Sequence, residues 1–279
     1  MDFWGKIGGK FELVKDFEFK SRYSIEDLLE IMRLLRSDDG CPWDREQTHE
    51  SIRKSLIEET YEVIEAINKK DNALLCEELG DVLLQVVFHS QMSKEKGEFD
   101  FSDVADGICK KLVERHPHVF GEVKADTSEE VLSNWEEIKN KSKHRDTVTD
   151  TMLSVPRELP ALMRSAKLQS KAKKAGFDWD TVDGALEKLD EEVTELKAAI
   201  RNGDRDNCFE ELGDLLFSAV NVSRFIDCDA EEALTAASDK FLNRFSQVEA
   251  LASERGIDMK NSSLEQLDLL WEEVKQGSN

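Results

Sequence analysis

The chain has 279 residues and a formal net charge of −22, with 60 acidic against 38 basic side chains. This charge argues against a protein that grips nucleic-acid polymers or anionic membranes through a basic surface. No segment approaches the roughly 20 apolar residues of a membrane span, and the N-terminus lacks the apolar core of a signal peptide. The five cysteines include no C-x-x-C pair, which favours free thiols. We expect a cytoplasmic protein.

Apolar residues recur at helical spacing along most of the chain, and no segment alternates as a half-buried strand does. A first helix is predicted after a capping box formed by Ser24 and Asp27, and another after a box at Thr127 and Glu130. Between these boxes, helices are predicted near 48–69, 72–96 and 102–115. Further along the chain they are predicted near 158–175, 181–202, 206–226, 230–254 and 263–275. The sequence therefore predicts an all-α protein.

A polar stretch that contains Pro156 and Pro160 divides these helices into two groups. Residues before the first capping box show no clear periodicity. We therefore predict four segments along the chain, namely an N-terminal leader at 1–22, a first helical domain at 23–145, a linker at 146–157 and a second helical domain at 158–279.

The two halves repeat one acidic pattern, E-E-x-x-E followed by E-x-x-D, and the second part reads EELGD in both copies. In each half 16 residues separate the third Glu from the fourth, and each half ends in a Trp-Glu-Glu-x-Lys segment. Equal spacing in both copies indicates duplication of one helical unit. The acids are Glu58, Glu59, Glu62, Glu78 and Asp81 in the first half, and Glu191, Glu192, Glu195, Glu211 and Asp214 in the second.

The spacing of these acids predicts a cluster in each half. Residues three or four apart share a helix face, so the carboxylates converge if the two helices of a half pack antiparallel. Two like charges about 4 Å apart repel by roughly 4 kcal/mol at an effective dielectric of about 20. Four or five carboxylates together therefore need a cation, and sites made only of oxygen favour hard metals. We expect Mg²⁺, with Mn²⁺ as a substitute.

A glycine stands inside each of the two EELGD helices, although glycine costs about 1 kcal/mol relative to alanine there. Gly80 and Gly213 each lie directly before the aspartate of the pattern. Two explanations stay open. Either a ligand approaches the backbone between the acids, or another helix packs closely against it.

Long segments of the chain resemble the MazG family of nucleoside triphosphate pyrophosphohydrolases, in its tandem two-domain form. The resemblance spans residues 24–277. Its motifs are GCPWDREQTH, LIEETYEVIEAI, EELGDVLLQVVFHSQM, RHPHVFGEV and NWEEIK, then LMRSAKLQSKAKKAGFDW, DEEVTEL, EELGDLLFSAVN and LWEEVK. It implies two related helical domains with four-helix-bundle packing, completed by homodimerisation. It also implies Mg²⁺-dependent cleavage of a nucleoside triphosphate between its α and β phosphates, which yields a monophosphate and pyrophosphate.

The resemblance also assigns roles to individual residues. The implied metal ligands are Glu192, Glu195, Glu211 and Asp214 in the second half, and Glu59, Glu62, Glu78 and Asp81 in the first. The implied phosphate and base contacts are Lys240, Arg244, Trp271 and Lys275, with Lys111, Arg115, Trp135 and Lys139 as weaker counterparts. Family precedent places the main catalytic site in the second half, although the first half keeps every acid.

Some roles follow from chemistry alone and leave alternatives. Glu191 and Glu58, the first acids of their motifs, are candidates to orient or deprotonate an attacking water. Trp271 either stacks on a base or packs as a core or lid residue. Lys171, in a basic helix end, is a further candidate for phosphate contact.

The sequence is also consistent with two other functions. A helical scaffold could hold divalent cations structurally in its acidic clusters, without catalysis. A narrower enzyme, similar to a dUTPase, could use the same acids on fewer nucleotides.

Overall fold

The computed structural model describes residue 17 and residues 19–277 of the chain, which divide into two compact units. One unit ends at Ile138 and the other begins at Lys139. The described helices are α1 (Ile25–Leu35), α2 (Pro42–Glu46), α3 (Arg53–Lys69), α4 (Asn72–Glu95), α5 (Phe101–Arg115), α6 (Pro117–Phe120), α7 (Ser128–Ser142), α8 (Val148–Leu153), α9 (Ala161–Lys174), α10 (Val182–Asn202), α11 (Arg205–Phe225), α12 (Ala230–Glu254) and α13 (Leu264–Gly277).

The first unit is built on the hairpin of α3 and α4. Helix α3 ends at Lys70 in a left-handed conformation (φ 55°), and α4 begins directly afterwards at the cap Asp71. The Asp71 carboxylate accepts hydrogen bonds from two backbone N–H groups of α4, which satisfies donors that a helix start leaves free. Helix α1 packs on α4. Their shared core contains Met32, Ile52, Val87, Phe88 and Met92.

The second unit repeats this hairpin in α10 and α11. Helix α10 ends at Gly203 in a left-handed conformation (φ 68°), and the Asp204 carboxylate caps α11 by accepting from the backbone N–H of Asn207. Helix α9 packs on α11 and α12, and α12 pairs with α13. The core between α12 and α13 contains Val248, Ala252, Leu270 and Val274.

The all-α prediction is confirmed, because the described part of the chain contains helices and no strand. Each long helix lies close to its predicted range. The start of α3 is an exception, since the helix begins at Arg53 rather than at 48. Thr48 and Ser51 accept hydrogen bonds from each other's backbone N–H, and this local turn takes the place of a helical start.

Three short helices were not predicted. Helices α2 and α6 begin at prolines, Pro42 and Pro117, which suit the first turn of a helix. Helix α8 lies inside the stretch assigned to the linker 146–157, where Thr147 and Asp150 form a capping box, and it packs on α9. The domain bounds stay a prediction, and most of the predicted leader lies outside the described residues.

Several helices leave large apolar side chains exposed. Ile57, Tyr61 and Ile64 on α3 are each 44–53% exposed, and Leu212 and Leu216 on α11 are each 47% exposed. Helix α12 adds further exposed apolar side chains, of which Phe241 is one. Among the described residues, no helix has both the length and the apolar character that crossing a membrane requires.

Candidate metal and substrate site

Hairpin α3–α4 brings the acids of the first half together. One carboxylate oxygen from each of Glu59, Glu78 and Asp81 lies within 4.8 Å of the others. Burial raises the pKa of Glu59, and the Asp81 and Glu62 carboxylates raise it further. Burial also raises the pKa of Glu78, with the Glu62 charge as the next cause. Glu62 therefore belongs to the same cluster as the other three acids.

Hairpin α10–α11 forms the corresponding cluster in the second unit. Carboxylate oxygens of Glu192, Glu195 and Glu211 lie within 4.8 Å of one another. Burial raises the pKa of Glu211, and the charges of Glu195, Glu192 and Asp214 add to the effect. Glu192 is 4% exposed, and its Oε2 atom is buried without a hydrogen-bond partner. Burying a carboxylate oxygen without a partner costs free energy. A hydrogen-bond donor or a cation bound to this oxygen would offset that cost.

Lys188 is part of the second cluster, and sequence reasoning missed it. Its Nζ lies 2.7 Å from Oε1 of Glu192 and 2.9 Å from Oε1 of Glu191. Its hydrogen bonds to these two carboxylates, first that to Glu192, raise the pKa of Lys188. The signal was available in the sequence, because a lysine three and four residues before two acids shares their helix face.

A cavity of about 520 Å³ adjoins the second cluster, and Glu192, Asp214 and Lys188 line it. Gln169 on α9 also lines it, and its Nε2 donates to the backbone oxygen of Phe217 at 2.8 Å. The Oε1 atom of Gln169 is buried without a partner. Two residues that line the cavity, one on α9 and one in the acid cluster, thus each have a buried acceptor oxygen without a donor.

An ion pair is also part of the lining of this cavity. The Arg224 guanidinium donates to both carboxylate oxygens of Asp178, at 2.7 and 3.3 Å, and to Oδ1 of Asn221. The Arg224 hydrogen bond lowers the pKa of Asp178. All three residues line the cavity. Sequence reasoning missed them, because Asp178 lies 46 positions from Arg224 and no local pattern joins them.

The two glycines of the EELGD helices have open surroundings. A Cβ atom added at Gly80 or Gly213 would meet no described atom within 4 Å outside its own helix backbone and chain neighbours. Close packing of another helix within the described chain is therefore a wrong explanation for these glycines. The space beside each glycine is open to a ligand or to a second chain.

The predicted substrate contacts of the second unit lie on other helices than the acids. Lys240 and Arg244 are on α12, whereas Trp271 and Lys275 are on α13. The ring centroid of Trp271 lies 5.4 Å from that of Phe241, the residue that follows Lys240 on α12. Trp271 also packs against the core between α12 and α13, and Lys275 pairs with Glu272 at 2.6 Å. Lys171 is on α9, the helix that supplies Gln169 to the cavity.

The first-unit counterparts are partly assembled. The Arg115 guanidinium lies 4.9 Å from the ring centroid of Trp135, and its buried Nε atom has no hydrogen-bond partner. Lys111 lies one helical turn before Arg115 on α5. Lys139, the fourth counterpart, begins the other unit.

The residues of both clusters fit a hard divalent cation. Each offers carboxylate oxygens only, the donor type that Mg²⁺ and Mn²⁺ prefer. The raised pKa values of Glu59, Glu78 and Glu211 share one set of causes, which is burial together with neighbouring negative charge. A bound cation would remove the second cause, because opposite charge favours the ionised carboxylate.

Comparisons with known proteins give matches in both halves of the chain. The MazG nucleotide pyrophosphohydrolase domain matches residues 47–120 and 180–249. The chain is 44% identical over 255 residues to the nucleoside triphosphate pyrophosphohydrolase of Escherichia coli (strain K12), across 90% of this chain and 97% of that protein. It is 45% identical over 252 residues to the nucleoside triphosphate pyrophosphohydrolase/pyrophosphatase MazG of Thermotoga maritima, across 90% and 96% of the two chains.

A third relative is more distant. The nucleoside triphosphate pyrophosphohydrolase of Mycobacterium tuberculosis is 35% identical over 210 residues, which cover 72% of this chain and 62% of that protein. Each of the two segments that match the MazG domain contains one complete acidic pattern. The first segment contains Glu58 to Asp81, and the second contains Glu191 to Asp214. The chain belongs to the MazG nucleotide pyrophosphohydrolase family and contains two copies of its all-α domain.

Proposed function

We propose that this protein hydrolyses nucleoside triphosphates between the α and β phosphates, with a divalent cation held by its acidic clusters. The products are a nucleoside monophosphate and pyrophosphate. The main support is the second cluster, where three carboxylates converge and the buried Oε2 of Glu192 lacks a partner beside a cavity. We further propose Mg²⁺ as the ion, with Mn²⁺ as a substitute, because all donors are carboxylate oxygens.

The acidic side chains bind the cation and orient the attacking water. Glu192, Glu195, Glu211 and Asp214 hold the cation in the second unit, as Glu59, Glu62, Glu78 and Asp81 do in the first. A divalent cation in such a site neutralises phosphate charge and makes a bound water more acidic. Glu191 in the second unit and Glu58 in the first orient the attacking water.

Basic side chains complete the neutralisation of the triphosphate. Lys240, Arg244, Lys275 and Lys171 serve the second site, and Lys111, Arg115 and Lys139 serve the first. Arginine suits this task because its planar fork can donate to two phosphate oxygens at once. Trp135 offers a ring face for a base in the first site. Trp271 does not line the cavity in which we place the nucleoside of the second site, and its contact with the core between α12 and α13 favours a packing role.

We place the nucleoside of the substrate in the cavity beside the second cluster. Its volume of about 520 Å³ lies in the range usual for small-ligand sites. Phe177 and Trp179 give it apolar walls, and Gln169 adds a polar side chain to its lining. A triphosphate bound this way runs from Gln169 towards Glu192 and Asp214.

We also propose that the protein forms a homodimer. The support is the set of large apolar side chains that stay exposed on the acidic hairpins and on α12, including Tyr61, Leu83, Leu216 and Phe241. Burying apolar area stabilises an association by about 25 cal/mol per Å². A second copy of the chain gives these faces a matching apolar partner, as twofold dimers do.

The test is pyrophosphate release from a panel of standard and damaged nucleoside triphosphates, with Mg²⁺, with Mn²⁺ and with a chelator. We expect turnover with either metal and none with the chelator. Glu192→Gln should lower kcat/KM by at least about 100-fold, the loss of about 2.7 kcal/mol of transition-state stabilisation. Glu187→Gln, an exposed acid on the same helix, is the matched control and should retain activity.

Two outcomes would favour other functions. A parent protein that binds Mn²⁺ but releases no pyrophosphate from any nucleotide is a helical scaffold with structural cations. Turnover restricted to dUTP indicates a narrow, dUTPase-like enzyme with the same site.

A further inference from the structure

We propose that Lys188 is a positioning residue of the second site, an internal counter-ion that makes this site prefer the cation–triphosphate complex over the free cation. The proposal rests on the function proposed above. Lys188 holds Glu192 by one carboxylate oxygen and leaves the other for the cation. Its ammonium group then lies where the phosphates of the substrate arrive.

The contacts of Lys188 support the first part of this role. Nζ lies 2.7 Å from Oε1 of Glu192, so this oxygen is already engaged by a charge-assisted hydrogen bond. The other oxygen, Oε2, is buried and has no partner. A side chain that is 5% exposed and fixed at one oxygen has little freedom to turn. Lys188 therefore holds Glu192 in the orientation that keeps Oε2 for a ligand.

The location of Lys188 supports the second part. Its side chain is 35% exposed and lines the same cavity as Glu192 and Asp214. A positive charge at the junction of the acid cluster and the cavity repels a cation that arrives alone. The same charge attracts the phosphate oxygens of a cation–triphosphate complex. Lys188 therefore favours binding of the cation–triphosphate complex over binding of the free cation.

The first unit has no lysine at the position that corresponds to Lys188. Lys188 stands four residues before Glu192, and the residue four before Glu59 is Ser55. A serine hydroxyl carries no charge and cannot reach as far as a lysine. The two clusters have the same acids but differ by one positive charge. We infer that the first site binds free cations more tightly than the second, and that the second depends more on substrate.

The experiment exchanges this one feature between the two sites of the full-length protein. Glu78→Gln with Asp81→Asn disables the first cluster, and in that background Lys188→Met is compared with the unaltered second site. Glu211→Gln with Asp214→Asn disables the second cluster, and there Ser55→Lys is tested. Mn²⁺ binding is measured without nucleotide, by electron paramagnetic resonance of the free ion. Circular dichroism and sedimentation check that each variant is folded.

We expect Lys188→Met to tighten Mn²⁺ binding by about tenfold and Ser55→Lys to weaken it by a similar factor, from the repulsion between the ammonium and the ion. With substrate, Lys188→Met should raise the KM for the metal–nucleotide complex about tenfold while kcat changes less than about threefold. Lys188→Arg should restore the parent values of both. Lys197→Met, an exposed lysine on the same helix, is the control and should change neither.

The experiment distinguishes failure of the role of Lys188 from failure of the proposed function. If the parent protein binds Mn²⁺ and releases pyrophosphate, but Lys188→Met matches Lys197→Met within twofold in Mn²⁺ affinity, the role of Lys188 is overturned and the proposed function stands. Weaker Mn²⁺ binding in Lys188→Met overturns the counter-ion role as well, because it would mean that holding Glu192 in place outweighs the repulsion of the free ion. If the parent neither binds Mn²⁺ nor turns over nucleotide, both proposals fail.

Discussion

Gly213 separates two acids of the second cluster on a helix that would be more stable with alanine there. An added methyl group meets no described atom within 4 Å beyond its own helix backbone and chain neighbours. The cost of glycine inside a helix is therefore not repaid by packing within the chain. We therefore expect a ligand or a second chain to approach the backbone beside Glu211 and Asp214.

We predict that Gly213→Ala raises the free energy of unfolding by about 0.5–1 kcal/mol, because alanine restricts the unfolded chain and favours the helix. Urea unfolding without nucleotide or metal measures this change. Gly176→Ala is an informative contrast, since Gly176 has a φ of +81° and alanine there should destabilise the protein. Lower stability of Gly213→Ala would contradict the prediction and would indicate that a second chain packs at this glycine.

At the scale of single residues, the acids were predictable and their partners were not. Spacings of three, four and 16 place carboxylates such as Glu195 and Glu211 on facing helix surfaces, whatever surrounds them. Lys188 has the same periodic relation to Glu192, but many lysines of this chain lie three or four residues from an acid. Asp178, Gln169 and Arg224 line one cavity only because α9, the segment after it and α11 fold together, and no local pattern encodes that arrangement.

At the scale of elements, a pair of histidines joins the segment before α3 to helix α4. Nδ1 of His49 lies 2.8 Å from Nδ1 of His89, the ring planes differ by 2°, and Ser93 Oγ lies 3.4 Å from Nε2 of His49. One of the two Nδ1 atoms must be unprotonated to accept the hydrogen bond. Burial lowers the pKa of His89, and the neighbouring His49 lowers it further.

This arrangement predicts that the first unit loses stability as pH falls. The folded pKa of His89 is lower than its unfolded value of about 6.5, so the unfolded state binds more protons below that pH. The contribution of the pair is present above about pH 6.5 and decreases as pH falls through the folded pKa. Thermal unfolding of the parent and of His89→Gln between pH 5 and 7.5 measures it.

The variant should show a shallower decrease in melting temperature towards pH 5 than the parent, because it lacks the titrating ring. His144→Gln is the matched control, since this histidine lies in the second unit and should leave the slope unchanged. Equal slopes in His89→Gln and the parent would show that the histidine pair does not control stability.

Element types were predictable because the apolar periodicity extends over many turns. Helix α4 has 24 residues and α12 has 25, and both lie within one residue of their predicted ends. The start of α3 was not predictable from periodicity, because side-chain hydrogen bonds of Thr48 and Ser51 decide it locally. The short helix α8 depends on one capping box, and six residues are too few for a periodic signal.

At the scale of the whole molecule, the exposed apolar helix faces predict association of two copies. Leu216 on α11 is 47% exposed and lies two residues after Asp214. We predict that Leu216→Glu weakens the dimer at least about tenfold, because a carboxylate in an apolar interface loses its hydration. Sedimentation velocity at several protein concentrations measures the change. Leu153→Glu, at a side chain that is 79% exposed on α8, is the control and should leave the dimer intact.

The two units contain the same acids but differ in what surrounds them, and this difference predicts which unit turns over substrate. The second cluster adjoins a cavity with two unpartnered acceptors and has Lys188 at its edge, whereas Ser55 takes that position in the first. Glu195→Ala should therefore lower kcat/KM at least about 100-fold, which is about 2.7 kcal/mol, and Glu62→Ala should lower it less than about threefold. Both variants should keep the helicity of the parent, because Glu62 and Glu195 are exposed. Equal losses in steady-state assays of pyrophosphate release would overturn this assignment. Losses of about half in each variant would mean that the two sites turn over independently, and larger equal losses would mean that the two units share one catalytic task.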